Sequence, residues 1–153
     1  MIRDLDGVAA WLSALGAPCD RVGASSLIVA SPLGGHEAAM LLTWGRTTLQ
    51  LSQGIVLVQR GRNAEAAVTL AELNLRLDAP GLVVDERGLV SYRVALPSAG
   101  GLEPETVRRA VHQCIESAAA VLPELQALAG RLRLAAGTGP MSVCAGEVLG
   151  YLA

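Results

Sequence analysis

The sequence predicts an α+β domain, in which helices pack on an antiparallel sheet of about five strands. The predicted order is α-β-β-β-α-β-β-α, followed by a C-terminal tail. Three segments repeat apolar residues every three or four positions, as amphipathic helices do, and five shorter segments alternate or run as apolar stretches between turn residues. The short connections between consecutive strands favour antiparallel pairing. The length of 153 residues fits a single domain, predicted over residues 1–130, with the tail at 131–153.

The first third of the chain changes from a helical to an extended pattern. Apolar residues at helical spacing predict a helix within residues 4–15, which Gly16 and Pro18 end. Trp11 lies partly off the main apolar stripe of this helix, so we expect it to be exposed on a second apolar face. Three strands are predicted within residues 20–59, and Gly54 predicts a bulge or a short turn in the last of them.

The second predicted helix follows Asn63, whose side-chain oxygen can cap the free amides of the first turn, and it ends at Pro80. Asn74 is expected to be a polar group satisfied by backbone at the contact between helix and sheet. One apolar face of this helix is expected to be formed by Ala64, Val68, Ala71 and Leu75. Three further leucines widen that face: Leu70, Leu73 and Leu77.

A hairpin and a long helix complete the predicted domain. Strands at 81–85 and 89–96 flank a turn in which Gly88 supplies the positive φ angle. The longest helix starts at Pro104, because proline suits the first helical position, and its apolar pattern continues to residue 128. Pro123 lies inside this pattern and predicts a kink or a restart of the helix.

Composition and terminal sequence exclude several function classes. Hydrophobic residues make up 52% of the chain and charged residues 17%, which excludes general disorder. The net charge of -2 argues against a dedicated nucleic-acid binder, and the absence of lysine excludes a phosphate-binding loop. The N-terminus lacks the pattern of a signal peptide, and no stretch suits a transmembrane helix. We therefore expect a cytoplasmic protein without membrane contact, whose three cysteines are reduced.

Two alternative functions rest on particular residues. The first is an enzyme in which Cys114 would be the nucleophile and His36 its base, or a small-ligand protein with a pocket beside these two residues. Cysteine and histidine spacings match no metal motif, so we expect neither a metal nor a cofactor. An RNA-binding accessory protein would instead use arginines gathered at one corner between strand and helix, although no aromatic residues stand beside them to stack on bases; these are Arg46, Arg60, Arg62 and Arg76.

Apolar residues exceed what one covered sheet face needs, which favours an interface with a second copy or with a partner protein. The long last helix supplies the candidates for dimer contact or core packing: Val111, Ile115, Ala118 and Leu122. Trp11 and Trp44 are the candidates for binding a partner, because they are the largest side chains available and tryptophan is enriched in binding hot spots.

The second half of the chain carries a resemblance to a known family. Residues 70–128 contain a helix with the step Leu73–Asn74, a short hairpin with an acidic and glycine-containing turn, the helix start LEPETV and the later stretch LPEL. This order resembles the YbjN family of bacterial proteins, which share the fold of class I type III secretion chaperones. The resemblance extends over about residues 1–128 and does not include the tail.

The resemblance implies a small, often homodimeric protein without catalytic activity. The secretion chaperones of this fold bind an extended segment of a partner along helix and sheet surfaces. We therefore expect a homodimeric protein-binding module, chaperone-like or regulatory, with no cofactor and an unidentified protein partner. The enzyme or small-ligand protein and the RNA-binding protein remain the alternatives. The surface of the folded protein would distinguish the three. A broad apolar groove would favour the binding module, a deep pocket the enzyme or small-ligand protein, and an arginine patch the RNA-binding protein.

Overall fold

The structure, a computed structural model, describes residues 1–134 as three helices packed on a six-stranded antiparallel sheet. The α+β class and the predicted element order are confirmed. The helices are α1 (Leu5–Ala14), α2 (Asn63–Asn74) and α3 (Pro104–Leu134). The strands are β1 (Cys19–Val22), β2 (Ser26–Ala30), β3 (Ala39–Trp44), β4 (Thr48–Leu57), β5 (Leu82–Val84) and β6 (Leu89–Pro97).

The sheet contains one strand more than the sequence predicted. Its order is β1-β2-β3-β4-β6-β5, and every neighbouring pair is antiparallel. The additional strand is β1, an edge strand of four residues that pairs Cys19 with Val29 and Val22 with Ser26. Its two central residues are exposed, so no apolar alternation marks it in the sequence.

Strand register divides the sheet into a covered face and an open face. Across β2, β3, β4 and β6, one continuous row of paired residues is apolar: Leu27, Leu42, Leu51 and Val94. This row belongs to the hydrophobic core, and the hydrogen bond from Gln113 of α3 to the Tyr92 hydroxyl places α3 on the same face. The next row points to the opposite face and holds Ile28, Leu41, Ser52 and Arg93.

A bulge in β4 confirms the prediction at Gly54, because the pairing of β4 with β6 shifts between Gly54 and Val56. Gln53, just before the bulge, is fully buried. Its amide nitrogen donates to the carbonyl oxygens of Gly54 at 3.0 Å and Ala39 at 3.3 Å, and its oxygen accepts from the Ser31 hydroxyl at 2.5 Å. This network joins β4 to the connection between β2 and β3.

The second helix differs from its prediction at the cap. Arg62, not Asn63, is the N-cap residue, and no side chain caps the first turn. The Asn63 amide instead donates to the carbonyl oxygen of Asp85 at 2.5 Å, so it joins the helix start to the β5–β6 turn.

The predicted face of α2 is wrong for its central members, which lie on the outward side of the helix, whereas Leu70 and Leu73, predicted to widen that face, are buried. The buried residues of α2 are Ala66, Leu70 and Leu73, whereas Val68 is 64% exposed and Leu75 is 88% exposed. Both sides of α2 are apolar, and the side with the two buried leucines faces the core. The prediction for Asn74 is confirmed, because its side-chain oxygen accepts from the backbone amides of Gly81 and Leu82.

The turn between β5 and β6 forms at Gly88, as predicted. Gly88 has a φ of 94°, as the predicted turn requires, and Asp85 accepts from the amides of Arg87 and Leu89.

Pro123 does not restart α3, which continues as one helix from Pro104 to Leu134. Pro123 lies on the exposed side of the helix, where solvent can satisfy the carbonyl that loses its amide partner. Of the predicted tail, residues 135–153 lie outside the described residues.

Candidate functional site: an apolar groove at Trp11

An apolar groove opens between the end of α1, strands β2 and β3, and the first half of α3. Its volume is about 230 Å³. Trp11 and Leu15 line it from α1, Val29 and Met40 from the sheet, and Ile115 from α3. Since the lining side chains come from four elements, tertiary structure alone brings them together.

The end of α1 determines how Trp11 and Leu15 stand in the groove. Gly16 has a φ of 76°, the Ala17 amide donates to the Leu12 carbonyl, and the Gly16 amide donates to the Ser13 carbonyl. These bonds form a Schellman turn, which requires the left-handed conformation that glycine adopts without strain. The turn ends the helix directly after Leu15, which remains 60% exposed, while Trp11 is partly buried against the core.

The floor of the groove is buried and apolar, apart from the polar side chain of Ser31. Met40 and Leu42 are buried there, and Ser31 is held by its hydrogen bond to Gln53. Because the Ser31 hydroxyl already donates to the buried Gln53 oxygen, the floor offers mainly apolar contact.

The α3 wall of the groove combines apolar and basic side chains. Val111 and Ile115 are partly buried, and Arg108 and His112 complete the lining on this side. Arg108 donates two hydrogen bonds to Glu105, at 2.6 and 2.8 Å, and Arg109 donates a third. The bonds from Arg108, with a smaller contribution from Arg109, lower the pKa of Glu105 to about 2. The carboxylate therefore stays ionised at neutral pH and holds the Arg108 guanidinium beside the groove.

The structure places the six predicted interface residues in three environments. Trp11, Val111 and Ile115 line the groove. Ala118 and Leu122 are buried in the core of the chain itself, and Trp44 packs partly buried against the core without lining the groove. The sequence did not single out Leu15, Val29 or Met40 as site residues, because nothing in a local pattern shows that they converge.

The structure does not favour the alternative enzyme, in which Cys114 would be the nucleophile and His36 its base. Cys114 is fully buried on α3, and burial raises the pKa of its thiol to about 12, so it remains protonated at neutral pH. His36 is exposed in the turn between β2 and β3. Within residues 1–134, no three His, Cys, Asp or Glu side chains group as metal ligands; Cys144 lies outside the described residues.

The four arginines considered for RNA do not form one patch. Arg46 precedes β4 and Arg60 follows it, so a strand of ten residues, roughly 33 Å long, separates them. Arg62 pairs with Glu65, and Arg76 pairs with Glu124 at 3.2 Å. In the described part of the chain, no helix has the length and apolar character needed to cross a bilayer.

Comparison with known structures identifies two similar folds. One is the crystal structure of YbjN from E. coli, named "a putative transcription regulator", with a TM-score of 0.59, 15% identity, and coverage of 82% of this chain and 95% of that chain. The other is a chain of the heterodimeric ExoU–SpcU complex from the type III secretion system of Pseudomonas aeruginosa, with a TM-score of 0.52, 18% identity, and coverage of 76% and 95%. At these identities the likeness shows the fold.

Sequence comparison identifies the family. No curated protein matches the chain. The family profile of YbjN, described as "Putative bacterial sensory transduction regulator", matches residues 4–127, which include every residue that lines the groove. The chain therefore belongs to the YbjN family, with the fold that the family shares with type III secretion chaperones.

Proposed function

We propose that this chain is a non-catalytic, homodimeric protein-binding module of the cytoplasm, chaperone-like or regulatory, whose Trp11 groove holds an extended apolar segment of a partner protein. One observation carries the proposal: the groove is open, it is lined mainly by apolar side chains, and Trp11 and Leu15 stand on its wall. Apolar surface that a folded chain leaves open is typical of sites of protein contact.

The size of the groove favours a protein segment over a small molecule. Its volume of about 230 Å³ is smaller than the roughly 300–1,000 Å³ of pockets that enclose small ligands. A shallow apolar recess of this size suits one or two side chains of a peptide that continues over the surface. Trp11 supplies the rigid aromatic wall that is common in binding hot spots.

The comparisons support a protein partner and a regulatory or chaperone-like role. The similar ExoU–SpcU structure is a complex of two different proteins, and the similar E. coli protein is described as "a putative transcription regulator". The absence of catalysis is supported by the buried, protonated Cys114, since the alternative enzyme would need that thiol as its nucleophile.

Photo-cross-linking from the groove tests this proposal. A photoreactive phenylalanine analogue replaces Leu15, which is exposed on the groove wall, and a control carries it at Ala119, which is exposed on α3 outside the groove. We expect the Leu15 position to capture one protein through an extended apolar segment, identified by mass spectrometry of the linked peptide. The same capture from Ala119, or capture of no protein from Leu15, would contradict the proposal.

A further inference from the structure

The open face of the sheet carries buried apolar residues that are not part of the hydrophobic core. Side chains alternate between the two faces of a strand, so Leu89 and Ser91 share the open face with Arg93. In the same way, Ala39 shares it with Leu41. Ala39 and Leu89 are 0% and 2% exposed, yet among the described residues they are the buried hydrophobic residues that lie outside the core. The helices do not cover them, because the buried residues of all three helices belong to that core.

Ser91, on the same face, is a buried polar group that lacks a partner. It is fully buried, and its hydroxyl forms no hydrogen bond with any residue that the structure describes. Its cross-strand neighbours, Gly54 and Val83, have no polar side chain. An unsatisfied buried hydroxyl costs about 1–3 kcal/mol, so such groups nearly always have a partner. A backbone carbonyl of a segment that lies over this face would accept the hydrogen of the Ser91 hydroxyl.

A recess of about 260 Å³, here called the sheet recess, opens on the same face beside Leu89. Leu41, Gln50 and Arg93 line it from β3, β4 and β6. The turn between β5 and β6 borders it with two acidic residues and one basic residue: Asp85, Glu86 and Arg87. Asp85 accepts from backbone amides of its own turn, and within residues 1–134 no carboxylate pairs with the exposed Arg93. The sheet recess therefore suits an apolar segment that brings one carboxylate to Arg93.

We infer that residues 135–153 of this chain lie across the open face and cover it, with Glu147 at Arg93. Glu147 is the one charged residue of this segment. Large apolar residues stand on both sides of it: Met141, Val143, Val148, Leu149 and Leu152. A segment of this composition would complete the burial of Leu89 and offer its single carboxylate to the guanidinium.

The end of α3 places this segment within reach of the open face. Arg131, in the last turn of α3, and Thr69 of α2 line the same groove between these helices. At the start of α2, Asn63 donates to the carbonyl oxygen of Asp85, in the turn that borders the sheet recess. Residues 135–153 can extend to roughly 60 Å. The six strands of the sheet span only about 24 Å, so the segment is long enough to cross them.

Photo-cross-linking within the full chain tests the inference. A photoreactive phenylalanine analogue replaces Gln50, which is exposed and lines the sheet recess, and a control carries it at Ala119 on α3. Trypsin releases residues 134–153 as one peptide, because no lysine or arginine follows Arg133. We expect the Gln50 position to link to this peptide within a single copy of 15.8 kDa. Absence of this link, an equal link from Ala119, or a link only between two copies would overturn the inference.

Substitutions in the segment test its contacts. Leu149→Asp should lower the yield of the link by about 10-fold, because it sets a charge in an apolar contact, whereas Thr138→Asp should leave the yield nearly unchanged. Glu147→Arg should also lower the yield, and adding Arg93→Glu should restore it. A yield that Leu149→Asp leaves unchanged would overturn the apolar contact, and a failed restoration would overturn the pairing of Glu147 with Arg93. The inference does not depend on partner binding, because the Trp11 groove lies on the covered face.

Discussion

Replacement of Trp11 by alanine is the sharpest test of the groove, and its expected size follows from exposure. A tryptophan side chain buries about 150–250 Å² when it is fully covered. Trp11 is already partly buried and exposes at most about a third of its surface, so a bound segment would cover at most about 50–90 Å² more. At about 25 cal/mol per Å², that area is worth at most about 1–2 kcal/mol. We therefore expect Trp11→Ala to weaken partner binding by about 1–2 kcal/mol, at the low end of a hot-spot loss.

Trp44 provides the matched control, because it is also partly buried but does not line the groove. Binding of the captured partner segment, as a fluorescent peptide, is titrated beside thermal unfolding of each variant. Trp44→Ala should bind the segment like the wild type. Both variants should remain folded, with some loss of stability from the part of each indole that packs on the core.

Two results would refute this reasoning. If Trp11→Ala binds the segment as tightly as the wild type, the partner surface lies outside the groove. If the melting temperature of Trp11→Ala lies far below that of Trp44→Ala, Trp11 acts as a core residue and cannot be the main contact of the groove with a partner.

Four further predictions test the packing and hydrogen bonds of the fold itself. Asn74→Ala should lower the free energy of unfolding in urea by about 1–3 kcal/mol, because two partly buried amides lose their acceptor; a loss below about 0.5 kcal/mol would contradict this. Gly88→Ala should destabilise the chain by at least about 1 kcal/mol, because its Cβ would lie 2.4 Å from the Val58 oxygen, whereas Gly100→Ala, which meets nothing within 4 Å, should not. The Cys114 thiol should react with a disulfide reagent only after unfolding, and a native-state reaction that Cys114→Ser removes would contradict its burial. Because burial raises the pKa of this thiol from 9.0 to about 12, the folded chain keeps a proton that the unfolded chain releases, and stability should fall from pH 9 to 12.

Elements with strong local signals were predictable from the sequence. The three helices, the bulge at Gly54, the turn at Gly88 and the backbone bonds of Asn74 follow from periodicity and turn chemistry. Trp11 was predicted to be exposed because it lies off the stripe of α1, and this is only partly correct, since Trp11 is partly buried against the core in the groove wall. These features depend on residues that are close in the chain.

Features that depend on distant residues were not predictable. Strand β1 has four residues with an exposed centre and is recognised only through its pairing with β2. Helix α2 is apolar on two sides, so periodicity finds the helix but cannot choose which side faces the sheet. The groove itself requires the packing of α1, α3 and two strands, and no sequence pattern shows that packing.

The most direct test of the proposed binding site uses the fact that the chain has only two tryptophans. Each indole N–H gives one separate signal in a nitrogen–proton correlation spectrum, and Trp11→Ala assigns the two. During titration with the captured partner segment, the Trp11 signal should move while the Trp44 signal stays in place, because only Trp11 lines the groove. A segment that binds while the Trp11 signal stays unchanged, or that moves the Trp44 signal alone, would contradict the assignment of the groove as the partner site.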